Sequence, residues 1–214
     1  TPRAIFAYNH ARAYVAAVER WAARYRARAY EAGETDSGGT SAAVLGERTT
    51  TAIEFVEGER ARLAPAQSHL ALIPLAVPAA VQAMVIAGNE LQGLPYGPAG
   101  HPDPLGASQE DCSSSVNFVL YRAGVRPLSE ILRTNPLAQD YVGWGAPGLG
   151  RWVTIYATAA PVAHVFIVIA GLRLDTSHAG TDVGPNRLEG GPRWRLFDRI
   201  PTWARWTVRH PPGL

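Results

Sequence analysis

"HVFIVIAGLRLDTS", residues 164 to 177, decides the fold class: an unbroken apolar run behind a histidine, a turn at Gly171, and a second run that reaches Asp175. An uninterrupted, largely β-branched run of this length between turn signals fits a central strand buried on both faces. "LRLDTS" then fits the neighbouring strand of a hairpin, and such a hairpin can set Asp175 beside His164. Further strand signals lie in "RWVTIYAT" before the hairpin and "RWTVRH" after it. Upstream, a helix is expected from about Cys112 to Arg122. Another is expected in "PAAVQAMVIAGNELQG", with Pro78 near its start and Gly93 just past its end. Helix followed by several strands predicts an α+β fold.

The rest of the chain divides by composition. Residues 78–214 form the expected compact domain. Residues 51–77 open with "TTTAIEFVEGERARLAP", which alternates around Glu57-Gly58 and predicts a hairpin or extended arm that could belong to either half. Residues 33–50 are rich in Gly, Ser and Thr and predict a flexible linker. Residues 1–32 carry Ala11, Val15, Val18, Ala22 and Tyr25 at helical spacing, an amphipathic helix whose arginines fit a solvated face. The first residue is Thr1 and no signal segment opens the chain, so a processed product or a piece of a longer polypeptide is expected.

At 214 residues and 47% hydrophobic, the chain can bury a full core. Its formal charge of +2 is spread over scattered arginines with no run of like charge, so nucleic acid is not an expected partner. The richest apolar stretch, "HLALIPLAVPAAVQAMVIAG", is cut by Pro74 and Pro78, and no membrane span is expected. A single cysteine excludes an internal disulfide and a CxxC metal or redox pair.

That cysteine, Cys112, sits where a Gly-, Pro- and Ser-rich loop gives way to "SSSVNFVLYRAG", at or near a helix N-terminus. Exposed backbone N–H groups and the helix dipole favour negative charge there, and the thiolate is the attacking form of cysteine. Free cysteines are also among the most buried and inert residues, so position alone leaves both readings open. A nucleophile needs a base and an orienter. Among the six histidines, His10, His69 and His210 read as surface or packing residues, and His178 lies in a loop that could line a cleft. His164 stands at the edge of the buried strand, with Asp175 across one turn.

In its motifs the chain resembles the NlpC/P60 cysteine peptidases of bacterial cell walls. "LPYGPAGH" resembles the family's tyrosine-bearing entry segment, "DCSSSVNFVLYRAG" its Asp-Cys-Ser-Gly-x-Val stretch, and "AHVFIVIAG" its His-Val strand. "RLDTS" falls where the family has its third polar residue. The resemblance covers about residues 80 to 210 and implies a papain-like α+β fold, a helix bearing the cysteine packed on a small antiparallel sheet. It implies Cys112 as nucleophile, His164 as base and Asp175 as orienter, with Tyr96 lining the site and Asp111 and Ser113 shaping the cysteine turn. His101 and Trp144 are candidate walls of the substrate cleft. No metal or cofactor is implied. The sequence departs from the pattern at Ser114, where glycine is common, and at Asp175, where histidine is most frequent.

The implied activity is hydrolysis of peptidoglycan stem peptides next to D-glutamate and a diamino acid, by a secreted or wall-associated enzyme. A silent wall-peptide binding module and an amide or acyl transferase on the same fold are the alternatives. "AIFAYNHARAYVAAVERWA" separately resembles the closing helix of soluble-lysozyme-type lytic transglycosylase domains, which implies such a domain upstream in the same polypeptide.

Overall fold

The structure, a computed structural model, describes residues 54–65, 69–176 and 190–214. All of them belong to one of the two units into which the chain divides, Thr50–Leu214. The expected first helix and linker, with His10 and His178, lie outside the described residues. The chain begins with strands β1 (Phe55–Val56), β2 (Arg62–Leu63) and β3 (Ala71–Pro74), followed by helix α1 (Ala79–Glu90). A 3₁₀ turn at Pro98–Gly100 precedes helix α2 (Cys112–Arg122) and helix α3 (Leu128–Thr134), and a second 3₁₀ turn spans Ala138–Val142. Strands β4 (Ala146–Pro147), β5 (Val153–Thr158), β6 (His164–Ile169), β7 (Leu172–Asp175), β8 (Arg193–Leu196) and β9 (Thr207–His210) complete an α+β architecture. No described helix is long and apolar enough to cross a membrane.

Local chemistry fixes the element ends. Pro78 at φ −55° opens α1, and Gly93 at φ 84° turns the chain beyond it. Asn135 ends α3 in the left-handed conformation. Between β6 and β7 only Ala170 and Gly171 intervene, both at positive φ, 47° and 91°. That is the two-residue connection whose twist suits a hairpin. It sets the register Ile169↔Leu172, Val168↔Arg173, Ile167↔Leu174.

Six strands pair antiparallel in the order β4-β9-β5-β6-β7-β8, with β5 and β6 at the centre. One face presents Ile155, Val165, Ile167, Leu172, Leu174 and Trp194 to Val81, Met84 and Val85 of α1 and Val116, Val119 and Leu120 of α2. The other carries a smaller cluster of Tyr156, Phe166 and Val168, covered by Phe197, Trp206 and Val208. The apolar run of β6 is therefore buried on both sides, as its composition requires.

Two features differ from the sequence reading. Gly58 does turn the chain, at φ 92°, but β1 and β2 do not form a hairpin with each other. They flank β3, β1 in parallel and β2 antiparallel. The buried apolar β3 outcompetes direct pairing because it offers both neighbours a strand already seated in the core. Ala61, Ala71 and Ile73 share the core of α1 and α2, so the arm at residues 51–77 is integral to this body. Strand β8 carried no legible signal, since its Arg-Trp-Arg-Leu is too short and too charged to read as a strand.

Asn89, buried near the end of α1, ties three elements together. Its Oδ1 accepts the Ala71 N–H and the Trp194 indole N–H, each at 2.8 Å, and its amide donates to the Ala71 carbonyl at 2.9 Å. Asn89→Ala would leave all three groups buried without partners, and should lower stability by about 2–4 kcal/mol. Urea unfolding should show this as a lower midpoint with an unchanged slope; an unchanged midpoint would remove Asn89 from its tying role.

Candidate active site

Helix α2 starts at Cys112 because Asp111 caps it. The Asp111 Oδ1 accepts the N–H groups of Ser113 at 2.9 Å and Ser114 at 2.8 Å, and the Ser113 hydroxyl at 3.0 Å. Ser114 Oγ returns the bond by accepting the Asp111 N–H at 2.9 Å, which completes a capping box. Ser114 thus does chemistry that a glycine could not, and it is absent from the positive-φ positions. His101 stands behind the cap, with Nε2 3.1 Å from Asp111 Oδ1 and Nδ1 2.7 Å from Asn135 Oδ1.

With an acceptor at each ring nitrogen, His101 is suited to the doubly protonated form. Its hydrogen bond to Asp111 raises its pKa against the opposing effect of burial. Burial pushes Asp111 up, but His101, the Ser114 N–H and the Ser113 side chain outweigh it and hold the carboxyl down at about 2. His101, Asp111 and Ser113 therefore come together as the support of the helix end.

Cys112, at the first position of α2, is buried and lies close enough to His164 to act on the charge of the imidazole. His164 heads β6 and directs Nε2 to Asp175 Oδ1 at 2.8 Å. Nδ1 is the nitrogen left for the thiol. Burial alone would lower the His164 pKa; the hydrogen bond to Asp175 and the influence of Asp175 and Cys112 beside it outweigh that and bring it to about 9. Asp175 ends β7 with its side chain fully buried, and its second oxygen accepts from Arg173. The neighbouring Thr176 hydroxyl is buried with no hydrogen-bond partner among the described residues, so it does not share in orienting His164.

Tyr96 is half-exposed at the same place. Burial raises its phenol pKa, and its closeness to Cys112 and Asp111 raises it further. Trp144 is placed elsewhere. Its ring meets Tyr141 at 5.7 Å and the Arg126 guanidinium at 5.3 Å, and Arg126 lies past the C-terminal end of α2, the end away from Cys112. The Arg126 guanidinium lies over the rings of both Tyr141 and Trp144, which holds Trp144 in that place.

Four residues at the site escaped the sequence reading. Arg173 was legible in principle, since two positions before Asp175 on a strand is the same face. Trp203 and Trp206 lie 5.9 Å and 6.1 Å from the His164 ring, and nothing in "PTWARW" announces that. Glu110 is 1% exposed and faces Gly100, where a Cβ would stand 2.3 Å from its Oε2. The Ser114 hydroxyl lies close enough to Glu110 to ease its burial, but its bonds run to the Asp111 backbone. We therefore read both Glu110 oxygens as lacking a partner among the described residues. Burial lifts this carboxyl to about 7. Among the described residues, no group of three His, Cys, Asp or Glu side chains could hold a metal ion.

Compared with family models, curated proteins and solved structures, the chain matches none.

The two adjacent carboxyls set opposite pH dependences. Asp111, lowered from 3.8 to about 2, contributes stability that is present above pH 3.8 and lost as pH falls towards 2. Glu110, raised from 4.5 to about 7, binds its proton more tightly folded than unfolded, so stability is lost as pH rises from 4.5 through 7. Glu110→Gln should flatten that loss, by up to about 3 kcal/mol at pH 8 and by little at pH 4. Denaturant midpoints across this range test it, and parallel curves for the two proteins would show that Glu110 ionises freely.

Proposed function

We propose that the Thr50–Leu214 unit is a cysteine peptidase of the NlpC/P60 kind, papain-like in arrangement, that hydrolyses peptidoglycan stem peptides in the cell wall. The observation that carries this reading is the hydrogen-bonded pair His164–Asp175 beside Cys112, which stands at a capped helix N-terminus. A buried structural cysteine has no need of a histidine held charged by a buried carboxylate. The motif resemblance, which spans these same residues, supplies the substrate class.

In this mechanism the Cys112 sulfur attacks the amide carbon, opposite an imidazolium that His164 holds ready. The cap takes up the N–H groups of Ser113 and Ser114, and the Ser115 N–H bonds the Asp111 carbonyl. The Cys112 N–H is thereby the first-turn donor left for the oxyanion, and the Tyr96 phenol is the neighbouring candidate. His164 protonates the departing amine as the C–N bond breaks, leaving a thioester. Neutral His164 then takes a proton from water, hydroxide adds to the thioester carbon, and the acid leaves with the Cys112 sulfur restored. Asp175 keeps the imidazole in the useful orientation throughout.

Digestion of purified peptidoglycan followed by mass spectrometry tests the reading. New amino and carboxyl ends between D-glutamate and the diamino acid are expected from the natural protein and none from Cys112→Ala. An unchanged digest would sink it, and products carrying an added amine in place of water would mark a transferase.

Asp175 allows a sharper test. Both of its oxygens accept from donors, His164 on one and Arg173 on the other, so an asparagine there must turn its NH2 against one of them. Asp175→Asn should lose turnover nearly as fully as Asp175→Ala, by about a thousandfold or more, with the Cys112→Ala form of each still binding peptide. Substantial activity in the asparagine variant would show that only one acceptor is needed.

A further inference from the structure

The aromatic pair behind the candidate histidine has no part in the chemistry just described. Trp206 is fixed in place: its indole N–H donates to the Pro201 carbonyl at 2.7 Å, and its ring meets Phe166 edge-on at 4.9 Å. Trp203 stands against Trp206 at 4.9 Å and 79°, with its centroid 5.9 Å from the His164 ring. Yet Trp203 remains 39% exposed and belongs to neither apolar cluster. A large flat side chain is thus held from behind and left open, next to the group that carries the reacting proton.

The direction of the chemistry says what passes over it. His164 has Asp175 on Nε2, which leaves its other nitrogen for the chemistry, and the proton it gives goes to the amine being expelled. The acyl part stays on the sulfur, so the part of the substrate nearest the far side of His164 is the leaving residue. We infer that Trp203, braced by Trp206, is the leaving-side wall of the cleft and receives the long, amine-bearing side chain of the residue released. This rests on the peptidase reading above. An indole face suits such a chain twice over, since the methylene stem lies on an apolar surface and the ammonium is drawn to the ring's negative face. A methyl side chain in that place would leave the indole uncovered.

The competing role for Trp203 is to keep water from the His164–Asp175 bond, which would act on all substrates alike. Binding to the full chain carrying Cys112→Ala separates the two roles, measured calorimetrically with synthetic peptides that share one acyl side. One peptide continues with lysine after the scissile bond and the other with alanine. With Trp203→Ala added, the lysine peptide should bind about three- to thirtyfold more weakly and the alanine peptide within about twofold of before. Trp203→Phe, which keeps an aromatic face, should fall between. Equal weakening of both peptides, or of neither, would overturn the inference while leaving the peptidase reading in place. Failure of both peptides to bind when Trp203 is intact would overturn that reading and the inference with it.

Discussion

Apolar on both faces, β6 needs cover on both, and the Thr50–Leu214 unit is arranged around that need. The helices α1 and α2 and strand β3 meet one side, and an aromatic layer meets the other. A one-residue slip would exchange the two sets of side chains, setting Phe166 among the helices and Ile167 among the aromatics, so the register is tightly held. His164 inherits that precision because it is the first residue of the same strand. The candidate base is therefore placed by a central strand whose register is tightly held, and its partner Asp175 by the two-residue turn that follows it.

The other half of the site is placed by electrostatics. Glu110 and Asp111 are neighbours in sequence and carry the same group, but one is pushed up to about 7 and the other held down at about 2. Donor count decides the difference: four donors converge on one oxygen of Asp111, and none reaches Glu110. Such a pair lets the helix end carry a fixed negative cap while a second carboxyl sits behind it in neutral form. Arg173 plays the matching part on the strand side, where it binds Asp175 and lies over the Phe166 ring at 4.3 Å.

Much of this was legible in the sequence where one element carried the signal. The span of α2 and the β6–β7 hairpin follow from local patterns, because turn chemistry and periodicity are properties of a few adjacent residues. What was not legible depends on partners far along the chain. Strand β8 becomes a strand only because β7 pairs with it, and β1 with β2 flank β3 instead of each other. His101, expected at the cleft wall, is held by Asp111 and Asn135 beside the cap of α2, and the Asn135 bond was not legible. Trp144 and Trp203 illustrate the same limit in opposite directions, since an exposed-looking aromatic in a loop can be claimed either by a distant arginine or by the site.

Gly88 and Trp194 meet so closely that a Cβ at position 88 would lie 2.2 Å from the indole ring. The two positions are 106 apart in sequence, one on α1 and one on β8, and they share a single volume. Their histories are consequently bound together and have an order. A larger residue at 88 is open only to a lineage in which 194 has first become smaller, and a lineage that keeps the tryptophan is confined to glycine. Drift at either place is thus conditional on the other, and the indole fixes what helix α1 is free to become.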